Sequence, residues 1–147
     1  MIPLGAFAIV WSMEPSIFTK IINGELPCHK IYEDDKTIAF LDIYPIQPGH
    51  ILVVPKQQID HLDDLDDDTY AHLFRVVKML AKRVKLVLGV QRACLTVQGF
   101  DVPHAHIQII PCNQAADFYR IPDRSGKPND QALGEMARRL ATKEVVL

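Results

Sequence analysis

The stretch VPHAHIQIIP, residues 102–111, places His104, His106 and Gln108 at every second position, with Ala105, Ile107 and Ile109 between and beyond them. On a strand, residues two apart point to the same side, so these polar groups would form a row with neighbours about 6.5 to 7 Å apart. Such a row can follow a phosphate chain. An imidazole can attack phosphorus as a nucleophile, and a nearby imidazole or amide can hydrogen-bond the oxygens on which charge develops. The surroundings favour that chemistry. PGHILVVP brings a glycine and His50 to a loop–strand junction, and GFDVPH forms a glycine turn leading into the row, where backbone N–H groups can reach an anion.

The same residues fit two other readings. A solvated strand face also carries polar residues at alternate positions. Metal binding competes as well, because His50, His61, His104 and His106 are enough imidazoles for a site, and a spacing of two lets two rings reach one ion. No carboxylate or thiolate stands beside them in a recognisable metal motif. His29, His61 and His72 lie in polar loop or helix contexts and read as surface histidines. Cys94 and Cys112 read as small buried residues.

Several elements must position this row. EPSIFTKIINGEL opens with Pro15 and Ser16, spaces Ile17, Phe18, Ile21 and Ile22 as on a helix, and ends at Asn23-Gly24, which predicts a short helix. HKIYED and TIAFLDI read as a hairpin. In its second strand Ile38, Phe40 and Asp42 share one face, and Ala39, Leu41 and Ile43 the other. After the Pro- and Gly-bearing loop YPIQPGH, ILVVP is a third strand, short and rich in β-branched residues. The acidic run DHLDDLDDDT precedes YAHLFRVVKMLAKRVKLVLG, whose apolar residues recur every three or four positions up to Gly89. This is one long amphipathic helix. ACLTVQG and HAHIQIIP supply the last two strands, and DQALGEMARRLATK is a possible terminal helix. Short turns between strands predict an α+β domain with a largely antiparallel, five-stranded sheet.

The chain of 147 residues is long enough for one domain with a core. A net charge of -2 provides no basic field to attract phosphate backbones, so nucleic acid is not favoured as a partner. Three widely spaced cysteines with no C-x-x-C pair argue against a disulfide framework and fit a reducing, cytoplasmic setting. MIPLGAFAIVWS is apolar but lacks the basic flank of a signal peptide and is too short for a membrane span. The expected division is an N-terminal extension at 1–13, a domain at 14–113 and a C-terminal tail at 114–147.

Taken with SIFTKIINGELP and IYEDDKTIAFLDIYPIQPGHILVVPK, the motif VPHAHIQIIP makes residues 16–111 resemble the histidine triad family of nucleotide hydrolases and transferases. The segments occur in the family's order and at its spacing. The resemblance implies a two-fold homodimer whose two sheets join into one. It also implies that His106 attacks the α-phosphate of a purine nucleoside phosphoramidate or dinucleoside polyphosphate to form a nucleotidyl-histidine, with no cofactor. His104 and His50 would orient the nucleophile and shape the phosphate site. Ile17, Phe18, Phe40 and Ile43 match positions lining the purine pocket, and Asp42 the position that accepts from the ribose hydroxyls. Gly99, Asp101 and Val102 match the phosphate-binding turn, although an acceptor-only Asp101 carboxylate would repel an anion.

Three departures from that family pattern stand out. Gln108 replaces the third histidine, and an amide can donate a hydrogen bond but cannot act as an acid. The hexose-1-phosphate uridylyltransferases and dinucleoside tetraphosphate phosphorylases, a related branch, also have Gln there and pass the nucleotide to phosphate. The loop before the motif is short and lacks the usual Asn-rich turn. Many bacterial members bind zinc through C-x-x-C together with histidines matching His50 and His104, but Ser16 and Thr19 stand at the cysteine positions, so no structural zinc is expected. The alternative from another class is a nucleotide-binding protein with little turnover.

Overall fold

The computed structural model describes residues 13–144 and 146, so the proposed N-terminal extension lies outside the described residues except for Met13. Five strands, β1 (Lys30–Glu33), β2 (Thr37–Leu41), β3 (Ile51–Pro55), β4 (Arg92–Thr96) and β5 (Ile107–Cys112), form one antiparallel sheet in the order β1-β2-β3-β5-β4. Four α-helices accompany it: α1 (Ile17–Ile22), α2 (Asp67–Leu88), α3 (Ala115–Phe118) and α4 (Asp130–Leu140). The fold is α+β, as the order of elements predicts.

Alternation divides the central strands between two cores. Ala39, Leu41, Ile51, Val53, Ile107 and Ile109 join a layer built by α2, through Leu73, Val76, Val77, Leu80 and Val84, and by α4, through Leu133, Ala137 and Leu140. Ile38, Phe40, Leu52 and Val54 belong to the second core, completed by Phe18 of α1. Both faces are therefore covered, and every residue of β2 and β3 is buried. Each such aliphatic side chain contributes about 1.5–3 kcal/mol relative to exposure, so a one-residue slip, which would exchange the two faces, is strongly disfavoured.

The boundary residues differ from the pattern in instructive ways. β2 ends at Leu41, where Asp42 N–H still donates to His50 O at 3.0 Å, and the Asp42 carboxylate then accepts from Tyr44 N–H at 2.8 Å. This turn takes Ile43 off the α2 face on which strict alternation would put it. α2 starts at Asp67, inside the acidic run, because Asp66 caps it through Thr69 N–H and the dipole favours Asp67 and Asp68 in the first turn. β5 continues through Pro111, because β3 pairs only with Ile107–Ile109 and leaves the missing proline N–H without a ladder to break. The tail supplies α3, which has no apolar periodicity to announce it, and α4, which closes the main core.

Gly49 fixes the entry into β3. Its φ of +90° favours glycine, and an added Cβ would lie 2.6 Å from Leu88 Cδ1 and 3.3 Å from Pro111 Cγ. The next residue is His50, so this close approach sets where that imidazole emerges.

Candidate active site

The expected row of three polar residues on one strand face is not what forms. β5 begins only at Ile107, and His104 and His106 precede it in an irregular segment held by Ala105 N–H to Ile59 O at 2.7 Å and His104 N–H to Val102 O at 2.8 Å. These bonds take the backbone away from the sheet ladder. His104 is fully buried and His106 nearly so, which also removes the reading of a solvated strand face.

His104 is held by two partners. Its Nε2–H donates to Pro55 O at 2.8 Å, so Nδ1 carries the lone pair and accepts from Ser16 Oγ–H at 2.7 Å. Burial pushes the His104 pKa below its ordinary value; the Pro55 carbonyl opposes that shift and the neighbouring His106 adds to it. Ser16 is also the N-cap of α1, accepting from Thr19 N–H at 3.0 Å, while Gln58 Oε1 receives both Ser16 N–H at 2.9 Å and Thr19 Oγ1–H at 2.5 Å. One cluster thus joins the start of α1, the loop after β3 and the segment before β5.

His106 is oriented by the main chain of its neighbour. Its Nδ1–H donates to His104 O at 2.8 Å, which leaves a lone pair on Nε2, and among the described residues that atom has no hydrogen-bond partner. Phe18 packs edge-on against the His106 ring at 5.0 Å and the His104 ring at 5.8 Å, so rotation of either ring meets an aromatic wall.

His50 contacts Gln108. Ile46 N–H donates to His50 Nδ1 at 3.1 Å, so the proton is on Nε2, which donates to Gln108 Oε1 at 2.8 Å. The amide is thereby assigned: its oxygen is occupied and its NH₂ is left to donate. Burial lowers the His50 pKa, opposed by Asp42 and the Gln108 contact and reinforced by His106. Asp42 Oδ2 is 3.9 Å from His50 Nε2, close enough for attraction and too far for a hydrogen bond.

One cavity of about 800 Å³ collects His50, His106 and Gln108 together with Ile17, Phe18, Phe40, Asp42, Ile43, Asp101 and Val102. Gly99 and His104 are the two sequence-selected residues that do not line it. The volume is that of a small-molecule site. Sequence reasoning missed Tyr44, Gln98 and, above all, Tyr119, Arg120 and Arg124 of the segment between α3 and α4, which complete the wall. That segment carries no periodicity and no motif; its only hint is an aromatic pair followed by arginine. Cys28 also lines the cavity, but burial raises its pKa and keeps it a thiol.

The zinc ligand set implied by the resemblance is not assembled. His50 lies against Gln108, and it is Gln58 that stands with Ser16, Thr19 and His104. Hydroxyls, an amide and an imidazole with both nitrogens engaged are a poor donor set for Zn²⁺, and among the described residues no group of three or more His, Cys, Asp or Glu could hold a metal. His61, the fourth imidazole considered for a metal, is exposed beside Asp60.

The geometry agrees with comparisons to known proteins. A family model described as the HIT domain matches residues 23–115. The adenosine 5′-monophosphoramidase of Candida albicans is 46% identical, with 83% of this chain and 91% of that protein covered. A HIT-like protein of Bartonella henselae superimposes with a TM-score of 0.75 at 33% identity, covering 85% of this chain and 92% of that one. A zinc-bound histidine triad protein of Mycobacterium smegmatis gives 0.70 at 28% identity, covering 84% and 87%. The chain therefore belongs to the HIT domain family.

Proposed function

We propose that this protein transfers a nucleotidyl group, acting as a hydrolase or transferase on purine nucleoside phosphoramidates or dinucleoside polyphosphates through a nucleotidyl-His106 intermediate. The observation that carries the reading is the bond from His106 Nδ1–H to His104 O. It fixes the tautomer with a lone pair on Nε2 in a cavity that also holds the Gln108 amide. The phosphoramidase activity named for the Candida albicans relative supports the same class of substrate.

In this mechanism the Nε2 lone pair forms a bond to the α-phosphorus, and the bond from phosphorus to the leaving group breaks with its electron pair going to that group. Water or another acceptor then attacks phosphorus and returns the electron pair to Nε2. The Gln108 NH₂ hydrogen-bonds a non-bridging oxygen, and Asp42 accepts from the ribose. Ile17, Phe18, Phe40 and Ile43 provide the apolar site for the base. His104 acts through its carbonyl, and His50 acts by holding Gln108, so each is a positioning residue.

A homodimer joined edge to edge is part of the proposal. β4 is a sheet edge, and Leu95 on it and Val97 just after it are exposed, a combination that invites pairing. Product analysis tests the activity: AMP should appear from adenosine 5′-phosphoramidate or diadenosine tetraphosphate, and His106→Ala should abolish it. Saturable nucleotide binding without product from either compound would instead favour a binding protein.

A further inference from the structure

The segment between α3 and α4 brings two arginines, Arg120 and Arg124, to the lining of the cavity that holds His106 and Gln108. Two hydrogen bonds hold it, one through α3 just before it and one through its middle. Gln47 Nε2–H donates to Asp117 O at 3.0 Å and the Tyr44 hydroxyl to Gly126 O at 3.2 Å; both donors belong to the loop between Asp42 and His50. Arg124 Nη1 lies 3.7 Å from Asp101 Oδ2. The carboxylate that would repel an anion at the mouth is thus offset by a cation.

Arg120 has no ion-pair or hydrogen-bond partner among the described residues. The Asp117 carboxylate feels its charge but is committed to Asn113 N–H and Gln114 N–H, at 2.8 and 3.1 Å. An arginine that lines a cavity with its guanidinium donors unspent is suited to an oxyanion, which it can bind through two parallel N–H bonds.

Gln108 independently points the same way. Its oxygen is taken by His50, and its NH₂ cannot release a proton to a leaving group. An amine must gain a proton as the phosphorus–nitrogen bond breaks, whereas phosphate or sulfate departs as a stable anion and needs only compensating positive charge. We infer that Arg120 and Arg124 form the leaving-group subsite and that its occupant is a phosphate or sulfate oxyanion rather than an amine. This rests on the reading of His106 as nucleophile. The bond between the α-phosphorus and the bridging oxygen breaks, the electron pair stays on that oxygen, and the anion leaves between the guanidiniums without added protons.

The test compares kcat/KM for three compounds that share an adenosine 5′-phosphoryl group: diadenosine tetraphosphate, adenosine 5′-phosphosulfate and adenosine 5′-phosphoramidate. Arg120→Ala and Arg124→Ala should each lower the first two by about tenfold or more, and the phosphoramidate by less than about twofold. Arg120→Lys should recover part of the loss. The faster of the first two compounds with the unaltered protein identifies phosphate or sulfate as the preferred group. Equal losses on all three compounds, or no loss on any, would overturn the subsite. Binding supplies a second readout that needs no turnover: Arg120→Ala should weaken ADP by about tenfold and leave AMP unchanged. An unchanged ADP-to-AMP ratio would also overturn the subsite. A changed ratio with no adduct on His106 would uphold the subsite and count against the transfer reading alone.

Discussion

His50 donates its Nε2–H to Gln108 Oε1 at 2.8 Å because Ile46 N–H already occupies Nδ1. One backbone amide thereby sets a ring tautomer, and the ring sets which end of a side-chain amide faces the cavity contents. Gln108 is thereby held in a defined role as a donor.

Replacing that donor with a titratable group tests what it withholds. Gln108→His should raise turnover of adenosine 5′-phosphoramidate, by a factor on the order of 10² if proton donation limits the step. Steady-state rates of both proteins decide it. Equal rates would mean that leaving-group protonation is not the constraint.

Ser16 links helix α1 to the site. Ser16→Ala removes the cap accepting from Thr19 N–H and leaves the buried His104 Nδ1 without its donor, for a combined cost of about 2–4 kcal/mol. Urea unfolding should show the loss, and Ser16→Thr, which keeps the hydroxyl, should recover most of it. A stable Ser16→Ala protein would show that the link carries little.

Much of this arrangement is legible in the sequence. The alternation in TIAFL gives the two faces of β2 correctly, each covered by an apolar layer, and the short β-branched run ILVVP gives β3 as a strand. The spacing from Leu73 to Leu88 likewise gives α2. The alternation of His104 and His106 mimics a strand, yet tertiary bonds from Ala105 to Ile59 and from His104 to Pro55 hold them outside it. Gln58 has no local signal, since its value lies in contacts with Ser16 and Thr19, distant in the chain. Arg120 and Arg124 are invisible for the same reason: contacts distant in the chain, from Gln47, Tyr44 and Asp101, hold their segment at the cavity.

Acid should weaken the fold through the two buried imidazoles. Burial depresses the pKa of His50 and His104 below the ordinary 6.5, so the unfolded chain binds more protons and stability rises with pH in that range. Their contribution is complete above pH 6.5 and is lost as pH falls from there through the folded values. Asp34 acts in a separate window. Burial pushes its pKa up, but hydrogen bonds from Tyr32, Lys36, His72 and Thr37 outweigh that and hold it below 3.8, so its contribution is lost only in stronger acid. Urea midpoints at pH 8, 7, 6 and 5 should be flat above neutrality and then fall; a constant midpoint down to pH 5 would contradict the burial argument.

Arg83 of α2 binds the end of α4, donating to the carbonyls of Leu140, Arg139 and Ala141. Arg83→Ala should cost about 1–3 kcal/mol and speed amide exchange in α4 more than in α2. It lies in the structural layer behind the sheet, so kcat/KM should stay within about twofold of the original. Unchanged exchange in α4 would mean that the core contacts of Leu133 and Leu140 suffice.

Covalent chemistry at His106 is tested most directly by the mass of the protein after rapid acid-free quenching during turnover of diadenosine tetraphosphate. One added adenylyl group per chain is expected, mapped by peptide analysis to His106 and absent in His106→Ala. An adduct on another residue, or product formed with no adduct under conditions that preserve a phosphorus–nitrogen bond, would contradict it.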